Sequence, residues 1–319
     1  MARPEAQAYG TDGQPDSSST FTFVDRSLDL ASGEVLLNYA LDGIELVERF
    51  WLPDAPLDIA EERWPAIEAA LDLLHWVAGV SYWKAGCPST LRFDARSPDR
   101  WQAQWLTALY RHGLAEFAFE NDLDPDGFPE FPSSDALPHG PSSFAVRRRT
   151  LVPMGGGKDS LVAWERLRSR GESPDSIQVG QAPLILALGD QLPGKHRVIR
   201  RRVDARLSAL NRAGALNGHV PVTAINSAVL LLAAIVLDYD RIAFANERSA
   251  SEASRLDVRG RAVNHQFSKS FDFECMLDDW VKRYVHDLLR VFSILRRDRE
   301  LAICREFARH TLWHQHFSS

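Results

Sequence analysis

Thr150-Leu151-Val152-Pro153-Met154, followed at once by Gly155-Gly156-Gly157-Lys158-Asp159-Ser160, is the stretch whose reading decides the fold. The first five residues form a short apolar run that reads as a strand. Leu161, Trp164 and Leu167 then recur at helical spacing, and the pattern closes on Arg168, Arg170 and Gly171, residues suited to a helix C-terminus. Three glycines between strand and helix let the backbone turn tightly and present its amides as a concave nest, with the partial positive charge of a helix N-terminus behind them. Such a site suits a pyrophosphate group. Lys158 supplies a full positive charge, Asp159 a carboxylate for Mg²⁺, and Ser160 a hydroxyl donor for a phosphate oxygen. A plainer reading is a glycine turn with Asp159 capping an ordinary helix.

Two other glycine loops do not match. A Walker A loop needs glycine where Val152 stands and Ser or Thr where Asp159 stands. A dinucleotide fingerprint needs its last glycine at Ser160.

Outward from this loop, residues 177–180, 184–188, 197–203 and 241–246 read as further strands, and 221–237 as a buried helix. Leu277, Val281, Tyr284, Leu288, Val291 and Leu295 alternate steps of four and three, which predicts one long final helix. Strands alternating with helices imply crossover connections and an α/β fold with a doubly wound, largely parallel sheet. Upstream, two apolar runs, 35–41 and 44–52, flank Asp42-Gly43, a pair suited to a two-residue hairpin. Helices are predicted over 60–80 and around Trp101 and Trp105. Five prolines between 122 and 143 (Pro125, Pro129, Pro132, Pro138, Pro141) suggest a linker. The expected organisation is therefore a disordered tail 1–19, a smaller α+β lobe 20–121, a linker 122–145, and a nucleotide-binding domain 146–319.

Composition sets the class. The 319 residues are 45% apolar and 25% charged, so a sizeable core is available. A net charge of −6 argues against a general nucleic-acid binder, which needs a basic footprint. Three scattered cysteines (Cys87, Cys275, Cys304) form no disulfide framework, and the first twenty residues carry no apolar signal core, so a cytoplasmic setting is expected. The longest apolar stretch, 228–237, is too short to cross a bilayer.

Three polar clusters fall where strands of the second half should end: 218–227 (GHVPVTAINS), 246–250 (NERSA) and 263–270 (VNHQFSKS). In a doubly wound sheet the loops beyond the strands' carboxyl ends form the ligand crevice. Each cluster alone has a bland explanation, Asn226 as a helix cap or Glu247-Arg248 as a solvated pair. Convergence on one crevice makes them candidate site residues.

The GGGKDS loop resembles the PP-loop of ATP pyrophosphatases, usually SGGxDS after the first strand of a parallel sheet, with Gly155 standing where Ser is usual. Taken with HVPVTAINS, NERSA and VNHQFSKS, and with Ser81-Tyr82-Trp83-Lys84 and residues 116–121 (EFAFEN), it resembles a specific family over about residues 20–319. This is the ATP-dependent UDP-N-acetylmuramoyl-L-alanyl-L-glutamate epimerase family of peptidoglycan precursor synthesis. The resemblance implies a PP-loop fold and inversion of the terminal L-glutamate of a nucleotide-linked dipeptide to D-glutamate. It also implies that ATP is cleaved to AMP and pyrophosphate with Mg²⁺. The family continues past residues 313–319 into a cysteine-containing segment, so this chain is expected to be C-terminally shorter.

The chemistry explains the need for ATP. The α-proton of an ionised amino acid is too weakly acidic for a side-chain base. Adenylating the carboxylate removes its charge, after which a base can take the proton and an acid return one from the other face. His219, His265, Lys269 and Glu247 are the acid/base candidates. Lys84, Thr223, Asn226, Asn246 and Arg248 are the candidates for binding substrate, Lys84 and Arg248 through its carboxylate or diphosphate. The cofactor candidates are Gly155, Gly156, Gly157, Lys158, Asp159 and Ser160, with Asp159 on the metal. His310, His314 and His316 lack carboxylate or cysteine company and are set aside as a zinc tract. Glu116 and Glu120 read as a helix face, and the arginine runs 147–149 and 200–202 as surface charge. Two other readings stay open: another adenylate-forming PP-loop enzyme, either an amide ligase or a tRNA modifier, and a truncated relative that binds nucleotide without turnover.

Overall fold

The computed structural model describes residues 19–135, 140–257 and 259–315. Most of the expected N-terminal tail, Pro138 of the linker and His316 lie outside the described residues.

The chain opens with an antiparallel meander, β1 (Thr20–Leu28), β2 (Glu34–Leu41) and β3 (Ile44–Trp51). Asp42 and Gly43 join β2 to β3 with φ of 48° and 80°. Both central residues of such a tight hairpin need positive φ, which is why the Asp-Gly pair could be read in advance. Along β2, Val35, Leu37, Tyr39 and Leu41 point into the core while their neighbours face outward. Then follow α1 (Trp64–Ala78), α2 (Val80–Trp83), β4 (Thr90–Phe93), α3 (Arg100–Gly113) and α4 (Ala115–Glu120). The start of α3 is fixed by a reciprocal capping box between Asp99 and Gln102.

The second half contributes β5 (Thr150–Pro153), α5 (Lys158–Ser169), β6 (Asp175–Val179), α6 (Pro183–Gly189), β7 (His196–Arg202), α7 (Ala205–Arg212), α8 (Val222–Val236) and β8 (Arg241–Phe244). A small ribbon of β9 (Arg255–Leu256) and β10 (Ala262–Val263) precedes α9 (Phe271–Trp280), β11 (Arg290–Ser293) and α10 (Glu300–Phe307).

Nine strands form one sheet in the order β11-β8-β5-β6-β7-β3-β2-β1-β4. β11 through β7 are mutually parallel, and β4 is parallel to β1. The expected α/β class with a largely parallel sheet is thus what the structure has. The N-terminal meander extends that same sheet through an antiparallel pairing of β3 with β7. The central strands β5 and β8 are buried on both faces. Leu151, Ile177, Ile199 and Ile242 join one core with α1 and α8. Val152, Met154 and Ala243 join another with Leu161, Trp164, Ile303 and Phe307 of α5 and α10. This two-sided burial accounts for the nearly continuous apolar runs in the sequence.

Two predicted elements are corrected. Residues 184–188, expected as a strand, lie in α6, where Pro183 opens the first turn with its φ preset and no N–H to satisfy. The single helix expected over 277–295 stops early. α9 passes into a π-helical turn, Val281–Val285, and His286 turns extended (φ −164°, ψ 134°). Val291 then pairs with Ile242 as part of β11, and Leu288 is left exposed. The three-and-four spacing ran across this break because a short apolar strand and a helix segment look alike at that length.

Only three residue pairs, Arg49↔Arg202, Phe50↔Arg201 and Trp51↔Arg200, join β3 to β7. An ion pair reinforces them on the core side: Arg201 Nε reaches Glu48 Oε1 at 2.6 Å, with Glu48 fully buried. Burial pushes the Glu48 carboxyl up and Arg201 pulls it back. Asp204, just past β7, also accepts the Val47 amide at 2.9 Å. Removing one member of a buried pair strands the other, whereas replacing both with apolar residues is close to neutral. Glu48→Ala is therefore expected to cost about 3 kcal/mol in denaturant unfolding, and the double variant Glu48→Leu/Arg201→Met to recover most of it. A single variant as stable as the wild type would show that the seam does not depend on this pair.

Candidate active site

The chain lays down β5, β6 and β7 in one direction across the sheet, then returns to place β8 on the other side of β5. The order therefore reverses between β5 and β8, and at such a switch point the loops beyond the strands' carboxyl ends leave a crevice. The loop after β5 is Gly155–Gly157, and the loop after β8 carries Asn246, Glu247 and Arg248.

Gly156 has a φ of +79°, and a Cβ on Gly155 would meet nothing within 4 Å. Gly157 is the N-cap of α5 and offers no side chain to the first-turn amides. Those amides are thus left for an external acceptor. Ser160 Oγ donates to the Gly157 carbonyl at 2.9 Å. Lys158 Nζ lies 2.5 Å from Glu300 Oε1 and 3.0 Å from Asp159 Oδ1. Partial burial works against the Lys158 charge, but the bond to Glu300 and the company of Asp159 outweigh it and hold the ammonium above its ordinary pKa. The same bond draws the Glu300 carboxyl down. Asp159 Oδ1 is buried, with the Lys158 ammonium as its neighbour, and Glu247 Oε2 is buried as well, while the other Glu247 oxygen takes the Ser249 hydroxyl. A hydrogen bond shared with the Glu247 side chain also acts to lower the Glu300 pKa.

A second polar group gathers around the entrance to α8. The rings of His219 and His265 stand nearly perpendicular (81°) with centroids 6.5 Å apart. Burial lowers the His219 pKa below its usual 6.5; Glu116 and Glu120 oppose the shift, and His265 and Lys269 add to it. These five groups therefore share one neighbourhood. Beneath the 217–219 loop, Lys84 Nζ donates to Asn217 Oδ1 at 2.8 Å, and Asn121 donates to the Asn217 carbonyl at 3.1 Å. Thr223 and Asn226 lie half-buried in the first turns of α8, and Asn246 is half-buried after β8. Arg248 and Lys269 are exposed.

The sequence-predicted residues thus fall into two sets. Lys158, Asp159 and Glu247 meet at the glycine loop. His219, His265 and Lys269 meet at the α8 entrance, with Lys84 below. Sequence reasoning missed Glu300, which carries no motif and lies 142 positions from Lys158. It also took Glu116 and Glu120 for a plain helix face; their i, i+4 spacing was the one available signal. Arg296 was missed too, although it ties the loops together. It donates to the carbonyls of Glu247 (3.1 Å) and Lys269 (3.0 Å) and pairs with Glu274 at 2.7 Å.

Comparison with known proteins gives a consistent picture. The family described as MurL N-terminal domain matches residues 12–294. A protein of Xanthomonas oryzae pv. oryzae named UDP-N-acetyl-alpha-D-muramoyl-L-alanyl-L-glutamate epimerase is 42% identical over 302 residues, covering 94% of this chain and 67% of that protein. Proteins of the same name from Salinispora tropica and a Micromonospora species are 39% and 38% identical over 91% and 90% of this chain, and 64% and 65% of their own lengths. The chain spans about two thirds of the length of these relatives. No solved structure matches it significantly.

Because Arg296 holds two loops through main-chain carbonyls, Arg296→Ala is expected to speed amide hydrogen exchange at least tenfold in residues 246–251 and 267–270 while leaving β5 and α8 protected. Unchanged exchange in both loops would mean that they are held by something else.

Proposed function

The chain belongs to the MurL N-terminal domain family, and on that footing we propose that it takes part in the ATP-dependent epimerisation of the terminal L-glutamate of UDP-N-acetylmuramoyl-L-alanyl-L-glutamate. The carrying observation is that the GGGKDS turn stands at the switch point of a parallel sheet, with the neighbouring His219 and His265 rings at the entrance to α8, the helix that leads into β8. Free first-turn amides, the left-handed Gly156, and open space at Gly155 suit a PP-loop cradle for the ATP phosphates. Lys158 would exchange Glu300 for phosphate oxygen.

The donor set also suits Mg²⁺. The Asp159 carboxylate lies at the glycine loop with one oxygen buried beside the Lys158 ammonium, and it would turn to the ion once Lys158 engages phosphate. No group of three His, Cys, Asp or Glu able to hold a metal occurs among the described residues, so nucleotide oxygens would complete the shell, as is usual for this hard cation. When bound, the ion would offset charge on the phosphates as they separate.

In this reading the substrate carboxylate attacks the α-phosphate of ATP, pyrophosphate leaves, and the resulting carboxyl adenylate acidifies the glutamate α-carbon. His219 is the better base, because burial keeps its imidazole neutral near pH 7. His265, its ring centroid 6.5 Å away, would return a proton from the other side. Water then cleaves the acyl–phosphate bond, releasing AMP and the inverted carboxylate. Lys269, beside His219, and Glu247, beside Glu300, are the further acid/base groups of this reading, while Thr223, Asn226, Asn246 and Arg248 would offer polar contacts to the dipeptide and its diphosphate. A nucleotide-linked precursor and ATP fit the cytoplasmic setting suggested by the sequence. Among the described residues no helix is long and apolar enough to cross a membrane.

With ATP, Mg²⁺ and the dipeptide substrate in D₂O, pyrophosphate release accompanied by one solvent deuterium at the glutamate α-carbon is expected; a ligase would release pyrophosphate without the deuterium. Lys158→Ala and Asp159→Ala should each abolish pyrophosphate release with circular dichroism unchanged, and full activity in either would remove the loop from the mechanism. His219→Gln should retain pyrophosphate release but slow deuterium uptake about a hundredfold or more. Since the His219 pKa lies below 6.5, the acid limb of the wild-type exchange rate should fall below that pH. An acid limb above 6.5 would rule His219 out as the base.

A further inference from the structure

Lysine is almost never fully buried in a folded protein unless it is paired. Lys84 is 4% exposed, yet among the described residues no carboxylate lies within ion-pair distance of it. Its ammonium has three protons and one hydrogen-bond acceptor, Asn217 Oδ1 at 2.8 Å. The Phe117 ring stands 5.8 Å away, and the buried Cys87 thiol lies one turn along the chain. Such burial is costly for the fold and lowers the Lys84 pKa. The ammonium is nonetheless not deep. Asn217 itself is exposed, and it belongs to the short loop that carries His219. Gly218, between them, packs on α4 so closely that a Cβ there would come within 3.2 Å of the Phe117 and Glu120 side chains, so the loop runs directly over α4. An underused cation therefore touches the loop that carries His219, two residues before it.

We propose that Lys84 anchors the free side-chain carboxylate of the glutamyl terminus and so selects glutamate over its neutral analogues. This rests on the functional reading above. If the main-chain carboxylate is the one activated, the side-chain carboxylate is the remaining anion of that residue. It must be held while the α-carbon is presented between His219 and His265. Asn217 marks the position that the carboxylate oxygen takes, since its amide oxygen already accepts from Nζ. A carboxylate there completes the ion pair that the fold leaves open.

The test uses the 319-residue chain and two ligands, UDP-N-acetylmuramoyl-L-alanyl-L-glutamate and its L-glutamine counterpart, with binding measured calorimetrically and thermal stability recorded for each variant. The wild type should bind the glutamate compound about ten- to a hundredfold more tightly, the range expected for a hydrogen bond to a charged group. Lys84→Met, which keeps the shape and removes the uncompensated charge, should bring that ratio to near one. Its Tm should equal or exceed that of the wild type. Lys84→Arg should restore part of the discrimination. A lysine kept only for structure would instead show a fall in Tm with the ratio preserved, and that result overturns the proposal. Wild-type binding of both ligands without preference overturns the anchor alone, and binding of neither overturns the functional reading with it.

Discussion

Three backbone pairs between β3 and β7 carry the organisation of this molecule. Without them the parallel sheet would end in an open edge at β7, and the N-terminal meander would be a separate ribbon. Edges of that kind are usually shielded or paired. Here the pairing is backed by a buried carboxylate and guanidinium, Glu48 and Arg201, and by Asp204 reaching across to the Val47 amide. Joining the two halves lets α1 and α8 lie along one another over a common core, and it brings Lys84, from the first half, under a loop of the second.

Much of this was legible wherever local chemistry decides the outcome. Asp42-Gly43 announced its hairpin because few other pairs tolerate that backbone. The order of strand, glycines and helix at 150–169 is written in the residues themselves. The apolar run of α8 could be read because eleven of its fifteen residues are buried, on a helix covered on nearly every side. Where the reading failed, the deciding contact was distant. Residues 290–293 become a strand because β8 lies beside them, and nothing within the segment separates that outcome from a continued helix. The residues around 184–188 had a usable local clue in Pro183.

The site divides along the same line. Residue types in the loops after β5 and β8 were readable as polar clusters at expected strand ends. Their grouping was not, because Lys158 meets Glu300, and Arg296 meets Glu247, only through the fold. Lys84 is the sharpest case. In sequence it is a lysine after an aromatic pair. Its meaning comes from burial with no carboxylate in ion-pair distance among the described residues, a property that only tertiary structure confers.

The helix α8 has one more implication. It is a rod about 22 Å long, wedged between sheet and α1, and His219 hangs three residues ahead of its first turn. A rod so enclosed has no slack with which to absorb displacement. Trimming a methyl group from Ile225 or Leu231, both buried in the core, would loosen the packing that fixes where this rod lies, and with it the 217–219 loop at its end.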